Sequence, residues 1–448
     1  MKVERWDAEN YTPYLRAIDV EFSKSPRLIE LATVTHASEI PRVYCDEAKS
    51  KLFLLAQNIR PFLPDTATTF YIPDQIANAI PINRLEYGDV LVTRSGANSG
   101  MACVYMGKSG ECYTSGEGLI LRSRGNIDGA YIVAFLNSQI GSALCRRAIY
   151  GSGQPHIGPK YLEKIPVPRL GKLEAKIAGL VREANALLET SKTYYPEAEA
   201  ELLDRLGWSK LPKHSPELHY VADFNALEKA ERIDAEFFQP QYNRLRKRLS
   251  AAGALSLGKF CPILNRGIQP EYVENGDVSV INSKHLGPNH IDYSTLERTS
   301  KEAYESEESK KAWVKKFDVL LYSTGAYVGR TNVFLENFKA LASNHVAIIR
   351  PDWNVCNPTY LALFLNSPVG LAQSVEFSTG SAQRELYPKH IQQFLVFLPT
   401  TRAGKIDLEW QKKLAAKVEA ANSAKQEAES KLAEAKQLVE QAIKSRNN

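Results

Sequence analysis

The sequence is poor in the features that mark several large protein classes. Its six cysteines (Cys45, Cys103, Cys112, Cys145, Cys261 and Cys356) include no CxxC pair, and the closest two are nine apart. A cysteine-based zinc site and a disulfide scaffold are therefore disfavoured, as in proteins of a reducing cytoplasm. The first residues, MKVERWDAENYTPYLR, lack an apolar signal core, and no apolar run reaches the ~18 residues of a membrane span. A strong excess of one charge is also missing. Lys+Arg total 56 against 51 Asp+Glu, a net +5 over 448 residues. That excess is too small to indicate a nucleic-acid binder by bulk charge.

Enzyme motifs are equally sparse. Gly107-Lys108-Ser109 imitates the end of a phosphate-binding loop, but Ala102 stands where its first glycine belongs. Asn357-Pro358-Thr359-Tyr360 resembles the Asn-Pro-Pro-Tyr motif of amino-methyltransferases, without its second proline or a glycine-rich cofactor loop. The alternative is a turn before a helix. The Pro-Asp pairs at 64–65, 73–74 and 351–352 have no Glu-x-Lys at the distance a metal nuclease needs. No HExxH, GxSxG or Cys–His pairing emerges, and eight scattered histidines do not suggest ligands. The reading is a non-catalytic chain with no metal and no cofactor of its own.

What is present is a duplication. RWDAENYTP at 5–13 returns as RIDAEFFQP at 232–240, an offset of 227. GDVLVTRSGANSG at 88–100 returns as FDVLLYSTGAYVG at 317–329, an offset of 229. At that same offset YIVAFLNSQIG (131–141) matches YLALFLNSPVG (360–370), and YGSGQ (150–154) matches TGSAQ (379–383). Four collinear matches point to a tandem repeat. The globular part of each half reads as mixed α/β.

Each half ends in a helical pattern. Leu173, Ile177, Leu180, Ala184, Leu187, Ser191 and Tyr194 follow 3–4 spacing; so do Leu414, Val418, Ala421, Lys425, Ala428, Leu432, Ala435 and Val439. This is the seam of a coiled coil, with Ile177, Leu180, Leu187, Leu414, Val418 and Leu432 as its apolar positions. Charges such as Arg182, Glu183, Lys417 and Glu427 fall on the outer faces. A helix of ~35 residues would be about 50 Å long. Pro196 is expected to kink or break the first helix. The helices align at an offset of 237, which leaves eight extra residues around 400–407. The expected organisation is a globular domain at 1–170, a spacer helix at 171–212, a second domain with its linker at 213–401, and a C-terminal helix at 402–448.

This plan resembles the specificity (S) subunit of type I restriction–modification systems. The residues that carry the resemblance are GDVLVTRSG (88–96), YIVAFLNSQIG (131–141), GSGQPHIGPKYLEKIPVP (151–168), AEAELLDRLGW (198–208) and RIDAEFFQPQY (232–242). The resemblance implies two target recognition domains, each reading one half of a split, asymmetric sequence in double-stranded DNA. It implies an antiparallel helix pair with a pseudo-twofold repeat, spacing the half-sites and docking two methyltransferase subunits. Those partners would bring S-adenosylmethionine. Restriction subunits using ATP and Mg would join the larger phage-defence complex in the cytoplasm. The competing reading is a coiled-coil scaffold or adaptor of a related defence complex that binds protein instead of DNA.

Charge by segment fits a reader that shares its grip on phosphates. Residues 1–171 hold 19 basic and 17 acidic residues, and 214–401 hold 20 of each. The duplication also sorts candidate contacts: domains with different half-sites should share framework and differ where they read bases. Gln154, Lys160, Gln383 and Lys389 recur and suit framework or phosphate contacts. The divergent candidates are Gln57, Asn58 and Arg60 of Gln57-Asn58-Ile59-Arg60, paired loosely with Ser283, Lys284 and His285 of Asn282-Ser283-Lys284-His285. A second group is Arg94, Asn98 and Tyr113 against Tyr322, Tyr327 and Arg330. A third sets His156 near Arg384. Arg and Lys can grip guanine edges, and Asn and Gln can grip adenine.

Overall fold

A computed structural model describes residues 12–40, 43–45, 50–66, 68–151, 155–208, 217–230, 232–380 and 383–445. The chain divides into two compact units: residues 1–189 with 424–448, and residues 190–423. The fold is mixed α/β, as the sequence indicates.

Unit one is built on two small sheets. Strands β1 (Ala32–His36), β4 (Val90–Thr93), β5 (Ala102–Val104) and β7 (Gly118–Ser123) form an antiparallel sheet in the order β1-β7-β4-β5. Strands β2 (Ser50–Leu54), β3 (Phe70–Pro73) and β6 (Cys112–Thr114) form a second, ordered β3-β2-β6, in which β2 and β6 run parallel. Unit two repeats both. Ile263–Arg266, Val346–Arg350, Val319–Tyr322 and Thr331–Val333 lie in the same antiparallel order. Glu297–Thr299, Val278–Ile281 and Ala340–Ala342 repeat the second sheet, again with one parallel pairing. A short extra strand, Trp313–Val314, lengthens it. Its counterpart in unit one is a lone bridge between Arg84 and Tyr113.

The recurring sequence motifs are the fasteners of this framework. The aspartates of GDV and FDV are buried: Asp89 takes both arms of Arg122 at 2.9 and 2.7 Å, and Asp318 takes Arg350 at 2.6 and 2.7 Å. In the FLNS motif, Asn137 donates to the Ala102 carbonyl at 2.9 Å, and Asn366 donates to that of Thr331 at 2.5 Å. The next residue, Ser138 or Ser367, caps the following helix by accepting from Gly141 N or Gly370 N. Tyr131 and Tyr360, fully buried, donate to the carbonyls of Pro168 and Phe397 at 2.5 and 2.6 Å. Asn357 accepts from Thr359 N and Tyr360 N, while Asp128 accepts from Ala130 N. The Asn-Pro-Thr-Tyr run is thus a helix N-cap, which explains the residues without a methyltransferase site.

The long helices span Lys172–Arg205 and Leu408–Lys444. Within unit one, Lys176 pairs with Glu434 and Glu183 with Lys431, at 3.7 and 2.8 Å. Numbers rise on one helix as they fall on the other, so the pairing is antiparallel. Within unit two, Glu197 and Glu201 pair with Lys417, and Arg205 with Asp407, in the same sense. Ile177 and Leu180 are buried in the core of unit one together with Ala435 and Val439; Leu432 packs on it half-buried. Leu187 is half-buried, and it is Leu188 that packs against this core. Leu414 and Val418 are buried in unit two with Ala198, Leu202 and Leu206.

Of the kink or break expected at Pro196, the break does not occur, for the central helix continues through it. A mid-helix proline costs about 3 kcal/mol. Each fully buried leucine offsets about 1.5–3 kcal/mol, and Leu202 and Ala198 directly beyond the proline are fully buried. The eight extra residues do not lengthen the second helix. Asp407 N–H donates to the Pro399 carbonyl at 2.8 Å, and Thr400 bridges Ile406. The insertion is a closed loop that returns the chain to the point where it left.

Candidate nucleic-acid interface

In both units the first sheet opens into a glycine-rich turn on one edge. Thr93 N–H bonds the Met101 carbonyl and Gly100 N–H that of Thr93; Tyr322 with Arg330, and Gly329 with Tyr322, repeat these bonds. Gly100 and Gly329 have φ of +84° and +94°. A Cβ on Gly329 would lie 2.4 Å from Ser374 Cβ, so the turn needs glycine for its backbone angle and for the close approach. A second loop is stitched to this turn. Gly96 N–H donates to the Pro155 carbonyl at 3.1 Å, and Gly325 N–H to that of Arg384 at 3.0 Å. Ser95 bridges His156, and Thr324 bridges Glu385.

These bonds fix the correspondence of the divergent residues. His156 matches Glu385, one residue from the Arg384 expected from sequence. Asn98 matches Tyr327. In the block after the first strand of the second sheet, the structure shifts the expected pairing by two places. Asp65 N–H donates to the Asn58 carbonyl and Asp292 N–H to the His285 carbonyl, each at 2.8 Å. Asn58 therefore matches His285, and Gln57 matches Lys284.

The candidate residues separate by burial. Asn58 and His285 are buried and fully employed inside their units. Asn58 Oδ1 accepts from Leu55 N and its Nδ2 donates to the carbonyls of Asp65 and Thr68. His285 Nδ1 accepts from Asn282 N, and Nε2 donates to the Thr295 carbonyl at 3.1 Å. Burial lowers the His285 pKa, which keeps the neutral ring that this accepting nitrogen requires. Tyr113 is buried with Phe53 and Ile72, and Ser283 is buried beside His285. In this structure these four expected contacts lie buried inside their units.

The others stay accessible. Gln57, Arg60, Lys160, Lys284, Gln383, Arg384 and Lys389 are exposed, and Arg94, Asn98, His156, Tyr322 and Arg330 are half-buried. Gln154 lies outside the described residues. Lys284 is ion-paired with Glu297. Lys160 and Lys389 occupy the same place on the short helices Pro159–Leu162 and Pro388–Ile391. In unit two, Tyr327 is 57% exposed, with Arg330 4.1 Å over its ring and Tyr322 edge-on at 6.2 Å. In unit one, Asn98 lines an open groove of about 1130 Å³ with Tyr150, Arg146 and Lys436. Flat aromatic and cationic surface of this kind suits bases and phosphates.

Sequence reasoning missed several residues of this region. His36 Nε2 donates to the Gly116 carbonyl at 2.9 Å, and Arg266 Nε donates to the matching Asn344 carbonyl at 2.5 Å. Arg266 also bonds Thr324 and Glu385, lies 5.4 Å over the Tyr387 ring, and Tyr387 donates to Glu385. These residues share no identity between halves, so only the backbone bonds align them.

Comparison with known proteins agrees with the resemblance read from the sequence. Residues 255–430 match the family model of the type I restriction modification DNA specificity domain. A 139-residue stretch is 27% identical to the type I restriction enzyme EcoBI specificity subunit of Escherichia coli. The match spans 31% of this chain and 29% of that relative. Among solved structures, the type I restriction–modification S subunit from M. genitalium aligns over 94% of both chains, with a TM-score of 0.44 and 11% identity. The HsdS subunit from Thermoanaerobacter tengcongensis aligns over 94% of this chain and 95% of its own, with a TM-score of 0.29 and 16% identity.

Proposed function

We propose that this chain, a relative of the type I restriction–modification specificity subunits, is the DNA-reading subunit of such a complex. Each unit reads one half of a split, asymmetric target in double-stranded DNA. The antiparallel helices set the spacing between half-sites and offer a docking surface to two methyltransferase subunits. The chain itself is not catalytic. S-adenosylmethionine, ATP and Mg act in the methyltransferase and restriction partners, in the cytoplasm.

The observation that carries this reading is the double use of one framework. The buried fasteners recur pair by pair, while the accessible side chains on the same turns differ: Asn98 against Tyr327, His156 against Glu385. A structural scaffold has no need to vary there, but two readers of unlike half-sites do. Phosphate contacts from recurring Lys160 and Lys389 would position each unit, and divergent groups would specify the bases. The near-neutral charge of both halves suits a reader that shares phosphate binding with its partners.

The test is the methylation pattern of the host genome. A split motif with adenine modified on each strand, lost when this chain is deleted, is the expected result. Mobility shift with and without the methyltransferase partner tests the adaptor alternative: no DNA sequence preference in either sample would favour it.

A further inference from the structure

Four backbone positions on the loop edge of each first sheet form one cluster, and the cluster is filled differently in the two units. In unit one they hold His36, Arg94, Glu117 and His156; in unit two they hold Arg266, Ser323, His345 and Glu385. The backbone bonds that join them are the same. Arg94 N–H donates to the Glu117 carbonyl at 2.7 Å, and Ser323 N–H to that of His345 at 2.9 Å. Ile157 N–H returns to the Arg94 carbonyl, and Leu386 N–H to that of Ser323, each at 2.8 Å. His36 and Arg266 each hold the carbonyl just before 117 or 345.

Two facts separate this cluster from an ordinary packed corner. First, the chemistry at each position changes class: imidazole to guanidinium, guanidinium to hydroxyl, carboxylate to imidazole, imidazole to carboxylate. Framework positions nearby do not change in this way, as the Asp89–Arg122 and Asp318–Arg350 pairs show. Second, the cluster holds buried polar atoms without partners. Glu117 Oε2 and His156 Nδ1 in unit one, with Ser323 Oγ and His345 Nδ1 in unit two, make no hydrogen bond. Leaving such an atom unpaired costs about 1–3 kcal/mol, and a ligand that bonded the half-buried Glu117, His156 and His345 would recover part of that cost.

We propose that these four positions are the specificity-determining cassette of each unit: a common backbone frame whose exchangeable side chains, all but the fully buried Ser323, read base edges of one half-site. The inference rests on the DNA-reading function proposed above and deepens it. A carboxylate accepts from the cytosine amino group, and a guanidinium grips the guanine edge. In unit two Glu385 holds Arg266 at 2.5 Å and orients it; in unit one both places carry histidine. The two cassettes therefore select different bases from the same position on the frame.

The test uses the full complex with its methyltransferase subunits and reads the methylated motif genome-wide. Glu117→Gln and His345→Gln keep size and remove the reading chemistry. Each is expected to lower modification at the native sequence about tenfold, with relaxed base preference in one half-site only. The transplant His36→Arg, Arg94→Ser, Glu117→His and His156→Glu is expected to change the motif in the half read by unit one and leave the other half intact. An unchanged motif and rate in both single variants overturns the proposal, and so does a motif altered in both halves at once. Should the transplant fail to assemble, the two single variants decide. A wild-type genome without a split motif dependent on this chain overturns the underlying function instead, so the two failures are told apart.

Discussion

Asn58 in unit one and His285 in unit two do the same job with different side chains, whereas Asp89 and Asp318 do theirs with the same one. Both Asn58 and His285 accept a backbone N–H three residues earlier and donate to a carbonyl ten residues later. An amide and a neutral imidazole each present an acceptor and a donor on opposite ends, so either fits. Asp89 and Asp318 must accept both arms of an arginine and a backbone N–H as well. A carboxylate is the side chain that can do all of this. Divergence between repeats therefore has two meanings, and burial tells them apart. Inside the fold, unlike residues can be equivalent; at the loop edge they are not.

The largest effects should come from the shared ion pair, and they should differ between units. Removing one member of a buried pair leaves an uncompensated charge. Arg350 is 24% exposed and Arg122 46%, so water can recover Arg122 more fully once its partner is gone. We expect Asp318→Ala to cost about 3 kcal/mol and Asp89→Ala about 2 kcal/mol by equilibrium denaturation. Equal losses would mean that the two pairs are screened alike. Next in size is Pro196→Ala, in the part of the central helix that belongs to unit two. Restoring the backbone donor, less the freedom returned to the unfolded chain, should stabilise that unit by about 2 kcal/mol. A lower melting temperature would show that the proline fits a bend the helix needs.

The 3–4 spacing of apolar residues revealed the two helices, and the duplication showed because identity persisted at an offset of 229. It did so at the fasteners: aspartate, the Asn-Ser pair, tyrosine and the turn glycines. Elsewhere the offset drifts to 227 at Asn58/His285, 228 at Glu117/His345 and 230 at His36/Arg266. These drifts are loop insertions of one or two residues, which cost little and leave no identity to anchor an alignment. Two of the four proposed cassette positions, His36/Arg266 and Glu117/His345, lie in that drift, so backbone hydrogen bonds were needed to align them. Helix continuity through Pro196 was hidden for a different reason. Local propensity opposed the helix, and burial of Ala198 and Leu202, distant in sequence from their packing partners, overrode it.

A smaller effect sharpens the equivalence of Asn58 and His285. His285→Asn should cost less than about 1 kcal/mol, because the new amide can make both bonds. Asn58→Ala should cost about 2 kcal/mol, since it strands a buried N–H and two carbonyls. A His285→Asn loss as large as that of Asn58→Ala would break the equivalence and assign His285 a further role.

The smallest expected effect is the pH dependence that only the histidine version carries. Burial holds the His285 pKa below its ordinary value, with the Glu297 carboxylate opposing and Lys284 adding to the shift. The unfolded chain therefore takes up this proton more readily than the folded one. The stabilisation is complete above the unfolded-state pKa of about 6.5. It fades as pH falls through that value toward the lower folded-state pKa. His390 is shifted in the same direction by its own burial, so wild-type stability alone would mix the two. The difference between wild type and His285→Asn, measured at pH 7.5 and again at about pH 5.5, isolates one ring. The variant should gain on the wild type at the lower pH, and Asn58→His should introduce the same slope into unit one. A gap that stays constant with pH would mean that folded and unfolded His285 take up the proton alike, so that Nδ1 would no longer accept at the lower pH.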